Sequence, residues 1–270
     1  MIVKHNLTAM NSNRMLGLTT ATQAKSTEKL SSGYKVNRAA DDASGLAISE
    51  KMRRQVRGLT QASANAQDGI SMVQTAEGAL NEVHDMLQRL NELAVKGENG
   101  TLTTEDRSYI NSEVKQLMSE IDRVASTTTF NEKNLLNGDC SSGVDLQVGA
   151  ESGQHIQVKI KKMNCSGLSL SGTTSTASAA GTLNATVKAA IKKLNEQRSE
   201  LGAVQNRLEH TINNLDNIAE NTQSAESAIR DTDMALEMVT YANNNILAQA
   251  GQSMLAQANQ ANQGVLSLLG

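Results

Sequence analysis

The chain has 270 residues and a formal net charge of −3, with no proline, no tryptophan and one phenylalanine. Acidic and basic residues are mixed along it and aromatic residues are scarce, so we expect no nucleic-acid binding. No apolar run approaches the roughly 20 residues that span a bilayer, so we expect no membrane insertion. Large aromatic side chains usually fill irregular cores, and their scarcity favours narrow seams between helices.

The N-terminal segment is predicted to form one helix over residues 1–33. Its apolar residues are irregularly spaced. The helix is expected to end at Gly33, because glycine readily adopts the left-handed conformation that closes many helices. A short charged connector over residues 34–43 follows.

A long amphipathic helix is predicted from Ser44 to Val95. An apolar or small residue recurs at every seventh position, and such a repeat keeps one stripe of a helix on its partner. At about 1.5 Å per residue the helix would extend for roughly 75 Å. The repeat consists of Met52, Leu59, Ala66, Val73, Leu80, Leu87 and Ala94.

A second helix is predicted to begin at Thr103 or Thr104, where Thr103 and Asp106 form an Asp-containing capping box. The short connection from Gly97 favours antiparallel packing on the preceding helix. Its apolar positions alternate in spacings of four and three: Ile110, Val114, Leu117, Ile121 and Val124.

A β-hairpin is predicted within about residues 140–165, where apolar residues alternate on both sides of residues 151–153. Placing both apolar sets on one face pairs Val148 with Ile156 and Leu146 with Val158. This register predicts a three-residue turn.

Two cysteines flank the predicted hairpin, and they leave two alternatives. A disulfide between Cys140 and Cys165 would need a bulge or slip in the hairpin, and two free thiols are the favoured alternative. The Ser/Thr/Gly/Ala-rich residues 166–182 are predicted to be a linker.

A third long helix is predicted after the linker, with a heptad position at Val187, Leu194, Leu201, Leu208, Leu215 and Ile229. Asp and Thr at residues 231–233 favour a helix end or restart. A final helix carries an apolar and small-residue seam that an isolated monomer would leave exposed. The seam consists of Leu247, Gly251, Met254, Ala258, Ala261, Val265 and Leu268.

These elements predict a mainly α fold, a long antiparallel coiled-coil-like helix bundle with a small β-hairpin region and paired N- and C-terminal helices. Residues 1–43 and 231–270 are expected to form an inner terminal domain for polymerisation. Residues 44–230 are expected to form a core rod domain. Because the terminal helices look incomplete alone, we expect them to pack against copies of the same chain.

The candidate chemistry-bearing residues do not form a catalytic constellation. The four histidines, His5, His84, His155 and His210, fall in different predicted elements. The cysteines lack the spacing of a zinc ligand set. We therefore expect neither an enzyme nor a resident metal or cofactor.

Several long motifs resemble bacterial flagellin. The stretch from Leu30 to Lys96 (LSSGYKVNRAADDASGLAISEKM… to …LNELAVK) resembles the family's N-terminal core. TFNEKNLLNG at Thr129–Gly138 resembles the segment that leads into the hairpin. LGAVQNRLEHTINNL at Leu201–Leu215 and ILAQAGQSMLAQANQANQGVLSLLG at Ile246–Gly270 resemble the C-terminal core.

The resemblance implies an extracellular flagellar filament subunit, in a short form without large outer variable domains. It implies export by the flagellar secretion apparatus with no cleaved signal peptide. The implied partners are further copies of the chain, an export chaperone, and cap and junction proteins. The alternative is a hook–filament junction protein, which shares the terminal helical plan.

Two departures from the family pattern concern the backbone. Ala261 stands in a segment where family members often carry proline, and Gly270 stands in place of a terminal arginine. Asn131-Glu132 replaces the usual Asn-Gly. These changes leave the filament interpretation intact and are expected to affect helix straightness.

The resemblance also implies recognition of the monomer by the host flagellin-sensing Toll-like receptor. The implied site comprises Gln88, Arg89 and Leu93, with Glu113 on the neighbouring helix. Arg89 and Leu93 are four residues apart and lie outside the Leu87/Ala94 stripe, so both are expected to be accessible. The same surface is expected to serve subunit packing.

Overall fold

In the computed structural model, the backbone is described for residues 6–269 and the side chains for residues 6–261. These residues divide into two compact units. The terminal unit contains the chain up to residue 54 and from residue 221, and the central unit contains residues 55–220. Helices α2 and α5 contribute residues to both, so the expected boundaries at residues 43 and 231 stay predictions about assembly domains.

The described chain is mainly α-helical and contains two short antiparallel strand pairs, which confirms the predicted fold class. No helix in the described part of the chain is both long and apolar enough to cross a bilayer. In chain order the elements are α1 Leu7–Ser32, α2 Ala43–Glu98, α3 Thr104–Thr127, β1 Thr129–Phe130, β2 Lys133–Asn134, β3 Val144–Gln147, β4 His155–Val158, α4 Cys165–Leu168, α5 Ala177–Arg230 and α6 Met234–Leu269.

In the terminal unit, α1 packs along α6 in the antiparallel direction. The Asn6 side-chain amide donates to the carbonyl of Ala258 at 3.0 Å, and Lys29 lies 3.6 Å from Glu237. Gly33 ends α1 at φ 76°, and its N–H donates to Lys29. The predicted pairing of the terminal helices is therefore confirmed.

The predicted break before the last helix is also confirmed, because α5 ends at Arg230 and α6 begins at Met234. The Asp233 carboxylate accepts from the backbone N–H groups of Ala235 and Leu236, at 2.9 and 3.1 Å. Such N-terminal capping bonds satisfy backbone donors that a new helix leaves unpaired.

The central unit is built on the heptad stripe of α2. From Leu59 to Ala94 every residue of the predicted stripe is buried, and Met52 is partly buried. Helix α3 begins with the predicted capping box at Thr103 and Asp106. Helix α5 runs antiparallel to α2, since Asn184 donates to Glu98 at 2.9 Å and Ser63 donates to Asp216 at 3.1 Å.

The predicted hairpin exists, but its register was predicted wrongly by two residues. Leu146 pairs with Ile156 and Val144 with Val158. A two-residue shift leaves the same side chains on the same face, so alternation cannot distinguish the two registers. The turn decides, because it is longer than expected: Val148 N–H donates to the carbonyl of Gln154, and Gly153 takes φ 86°.

The segment over residues 166–182 was wrongly predicted to be a linker throughout. Its first residues complete α4, and α5 already begins at Ala177. Thr174 and Ala180 are fully buried. A Cβ placed on Gly97 would meet the Cβ atoms of both at 3.2 Å, so small residues are needed where this segment crosses α2.

Candidate functional site

The most distinctive surface is the apolar one that α1 and α6 leave exposed in the terminal unit. Its large side chains are 51–68% exposed. Soluble monomers rarely expose apolar residues so densely, and such surfaces mark contacts with other molecules. On α1 they are Leu7, Met10, Met15 and Leu18, and on α6 they are Leu236, Met238, Val239, Ile246, Leu247 and Met254.

The predicted seam of α6 divides between two environments. Gly251 and Ala258 are partly buried and face α1, where a Cβ on Gly251 would meet Leu16 at 3.2 Å. Leu247 and Met254 are more than half exposed, and Ala261 is exposed. Val265 and Leu268 lie outside the residues whose side chains are described. One edge of the seam therefore packs on α1 within the same chain, and the other edge is exposed and available to another molecule.

A groove of about 350 Å³ runs between α1 and α6. Met15 and Leu16 line it from α1, and Leu247, Gly251 and Met254 line it from α6. The groove continues the exposed apolar surface. The side chains that α1 contributes could not be identified from the sequence, because irregular spacing gave no stripe to follow.

A second candidate surface lies on α2 and α3 in the central unit, around Arg89. Its guanidinium contacts the carboxylate of Glu113 at 2.9 Å and that of Glu92 at 3.0 Å. The hydrogen bonds that Arg89 donates to Glu113, and then to Glu92, raise the pKa of Arg89. All three side chains are at least 43% exposed. Gln88 is also exposed and bonds to His84 at 2.7 Å.

Leu93 does not belong to this exposed surface, and the expectation that it is accessible was wrong. It is only 2% exposed and packs in the main core cluster. The heptad stripe of α2 predicts one buried face. Because α3 covers a further part of α2, residues beside the stripe are buried as well. Of the implied receptor residues, the structure therefore brings Gln88, Arg89 and Glu113 to the surface.

The two cysteines are free thiols in separate environments, so the disulfide alternative was wrong. Cys140 donates to the carbonyl of Asn134 at 3.4 Å, and Cys165 donates to that of Met118 at 3.2 Å. Beyond the strand pair, the N–H of Ile160 donates to the carbonyl of Cys140 at 3.3 Å. Burial raises the pKa of both thiols, that of Cys165 to about 12 with a further contribution from Asp122.

Among the described residues, no group of three or more histidine, cysteine, aspartate or glutamate side chains is placed to hold a metal ion. His155 has Asp145 as its acidic neighbour, at 4.0 Å, across the hairpin. The candidate sites among the described residues are therefore two exposed surfaces. The surface on α1 and α6 is apolar, and the surface on α2 and α3 is charged.

Comparison with known proteins gives matches at both ends of the chain. The model of the bacterial flagellin N-terminal helical region matches residues 3–141, and that of the C-terminal helical region matches residues 185–269. A flagellin of Halalkalibacterium halodurans is 53% identical over 273 residues, and a flagellar filament 31.3 kDa core protein of Treponema maltophilum is 51% identical over 285 residues. Both alignments cover 100% of each chain.

A solved structure agrees with these matches. The crystal structure of Bacillus cereus flagellin superposes with a TM-score of 0.52 at 29% identity. The superposition covers 56% of this chain and 88% of the other.

Proposed function

The chain belongs to the bacterial flagellin family of filament subunits, and we propose that its copies pack together through the exposed apolar side chains of α1 and α6. The chain is a short member of the family, and only α4 lies between β4 and α5 in the described structure. The exposed surface of the terminal unit is the observation that carries the proposal. Burying one large apolar side chain contributes about 1.5–3 kcal/mol, so a few such residues per contact can stabilise an assembly.

Substitution of Leu247 and Met254 by Glu tests this packing role. Both side chains are more than half exposed in the single chain, so the fold should tolerate the change while the assembly contact is lost. We expect the critical concentration for filament growth to rise at least about tenfold, since burying a carboxylate unpaired is costly. Sedimentation and electron microscopy measure it. Deletion of residues 247–270 should abolish growth.

A matched control keeps the comparison specific. Glu substitution of the exposed Gln249 and Gln252 places carboxylates on the same helix outside the apolar positions, and it should leave growth within about threefold, as is usual for surface changes. Normal filaments from the Leu247/Met254 variant would contradict the packing role. Copy number in isolated flagella separates a filament subunit from a hook–filament junction protein, which would be present in only a few copies.

We further propose that the chain is exported through the flagellar secretion apparatus with its N-terminal segment retained, and that an export chaperone and the cap and junction proteins contact it on the way to an extracellular filament. The position of α1 supports retention, because this helix packs on α6 from Leu7 onward. The intact mass of the protein taken from isolated filaments should therefore include residues 1–6.

We also propose that the host flagellin-sensing Toll-like receptor binds the monomer at Gln88, Arg89 and Glu113. The exposure of the Arg89–Glu113 pair supports this site, and the burial of Leu93 restricts its role to shaping the surface from below. Filament packing would cover the same surface, so binding should favour monomers.

Arg89→Ala and Glu113→Ala are each expected to weaken receptor binding about tenfold, because each removes a charged contact with the partner. The folded monomer should be unaffected, since exposed ion pairs contribute at most about 1 kcal/mol. Surface plasmon resonance with the receptor ectodomain measures the affinity. Arg123→Ala is the matched control, because it breaks an equally exposed Arg–Glu pair with Glu120 on α3. Unchanged affinity in both test variants would show that the site lies elsewhere.

A further inference from the structure

Charge is segregated along the central unit, although the whole chain is close to neutral. Residues 152–195 contain six lysines and no acidic residue. Residues 77–122 contain ten acidic and four basic residues. The two stretches therefore carry net charges of equal size and opposite sign, which the mean composition conceals.

The lysines of the first stretch lie on two segments of the central unit, the backbone after β4 and the N-terminal part of α5. The backbone after β4 is fixed against α5 by Gln197, which donates to the carbonyl of Lys159 at 3.0 Å and accepts from the N–H of Lys161 at 3.2 Å. Lys188 and Lys192 are one turn apart on the exposed face of α5. We call the exposed lysines of these two segments the lysine face. They are Lys159, Lys161, Lys162, Lys188, Lys192 and Lys193.

Most of the lysine face has no counter-ion among the described side chains. Lys161 is paired with Glu200 at 2.9 Å, and Lys193 donates to the Ser169 hydroxyl at 3.1 Å. No acidic side chain lies within 4.0 Å of the other four ammonium groups, among the residues whose side chains are described. These four charges are exposed and available to a partner.

The acidic stretch occupies α2 and α3, with exposed carboxylates at Glu82, Asp85 and Glu105. None of these three forms an ion pair with another described side chain. Arg89 is paired with both Glu92 and Glu113. Its single positive charge does not neutralise these two carboxylates, so the surface keeps an excess of negative charge. We call the exposed carboxylates of α2 and α3 the acidic face.

The two faces lie at the same height along the central unit. The contacts Asn184–Glu98 and Arg198–Glu77 join α5 to α2 at two levels. Lys188 and Lys192 lie between these levels on α5, and Glu82 and Asp85 lie between them on α2. A second copy placed side by side at the same height can therefore present its acidic face to the lysine face.

We propose that the lysine face of one subunit binds the acidic face of a laterally adjacent subunit, so that electrostatic complementarity sets the side-to-side register of the central units. The proposal rests on the proposed assembly function. Because the two faces differ, the contact is head-to-tail, and repetition of such a contact produces a ring or a helical array rather than a closed pair. Complementary charge gives orientation and rate of encounter more than raw affinity.

Two charge-reversed variants test the contact. Lys188→Glu with Lys192→Glu reverses part of the lysine face, and Glu82→Lys with Asp85→Lys reverses part of the acidic face. Each should raise the critical concentration of seeded filament growth about tenfold in ~50 mM salt, with a much smaller effect near 1 M salt, where screening leaves a Debye length of about 3 Å. The chain carrying all four substitutions should assemble within about twofold of the unaltered chain, because the complementarity is restored with opposite signs.

The control carries Arg57→Glu with Arg207→Glu, which changes the net charge as much as the lysine-face variant does but lies outside both faces. It should assemble normally, and circular dichroism should show unchanged helix content in every variant.

The proposal is overturned if the two reversed variants match this control or if the fourfold variant shows no rescue. It is also overturned, in favour of an anionic polymer as partner, if lysine reversal abolishes dextran sulfate binding and leaves assembly intact. Failure of the unaltered chain to form filaments would instead overturn the proposed function itself.

Discussion

Gln197 is a fully buried polar residue of α5 whose side-chain amide bonds in both directions with the backbone beyond β4. A buried amide costs free energy unless its donor and its acceptor are both used. Here it satisfies the carbonyl of Lys159 and the N–H of Lys161, which lie between β4 and α4, outside the described helices and strands. The residue therefore fixes the segment that carries Lys159 and Lys161 onto α5.

Gln197→Ala should lower the free energy of unfolding by about 2 kcal/mol, because it leaves two partly buried backbone groups without their partner and opens a small cavity. Urea unfolding followed by circular dichroism measures the change. Glu196→Ala, at the exposed neighbouring position, is the control and should stay within about 0.5 kcal/mol of the unaltered chain. Equal midpoints for the two variants would show that the Gln197 bonds contribute little.

Single residues were predictable where one strong pattern governed them. The heptad stripe identified Leu80, Leu87 and Ala94 correctly as buried. Leu93 was misjudged because its burial depends on how α3 lies across α2, and a repeat in one helix carries no information about its second neighbour. The burial of Gln197 was not predicted, since glutamine is usually a solvent-exposed residue, although it lies seven residues after Ala190 and seven before Val204.

At the scale of elements, helices were predictable and strand pairing was not. The heptad repeat of α2 recurs seven times, so its period is well defined by the sequence. The hairpin has only two short alternating segments, and the length of its turn does not follow from them. The close approach of the hairpin to α2 needs glycine, since a Cβ on Gly58 would lie 2.9 Å from the Cβ of Ala150. That requirement involves two distant segments, so neither segment alone could reveal it.

The elements of the candidate surfaces were predicted in the same uneven way. The last helix was predicted to expose its whole seam in an isolated monomer; Leu247 and Met254 are exposed, whereas Gly251 and Ala258 face α1. The sequence could not divide that seam between α1 and the exterior, because the division depends on the antiparallel contact of Asn6 with Ala258. The charge segregation between α2–α3 and α5 is visible in the sequence, but its two faces are defined only by the packing.

At the scale of the whole molecule, the two units are stabilised to different extents. The central unit has a continuous core that joins α2, α3, α5 and the segment between α3 and α5. The terminal unit relies on α1 and α6, where Ala9, Ser26 and Ala248 are the buried residues of this helix pair within the described side chains. A helix pair with so little buried surface is expected to open locally at low free energy. Assembly would then complete the terminal unit by covering its apolar side chains.

Hydrogen exchange on monomers and on filaments of the same preparation tests this central claim most directly. Amides of α1 and α6 should exchange at least about tenfold more slowly in filaments, because packing raises the free energy of local opening. Amides of α5 from Leu183 to Leu208, already in the buried core, should change little and serve as the internal control. Filaments confirmed by electron microscopy in which α1 and α6 exchange as fast as in the monomer would contradict the account.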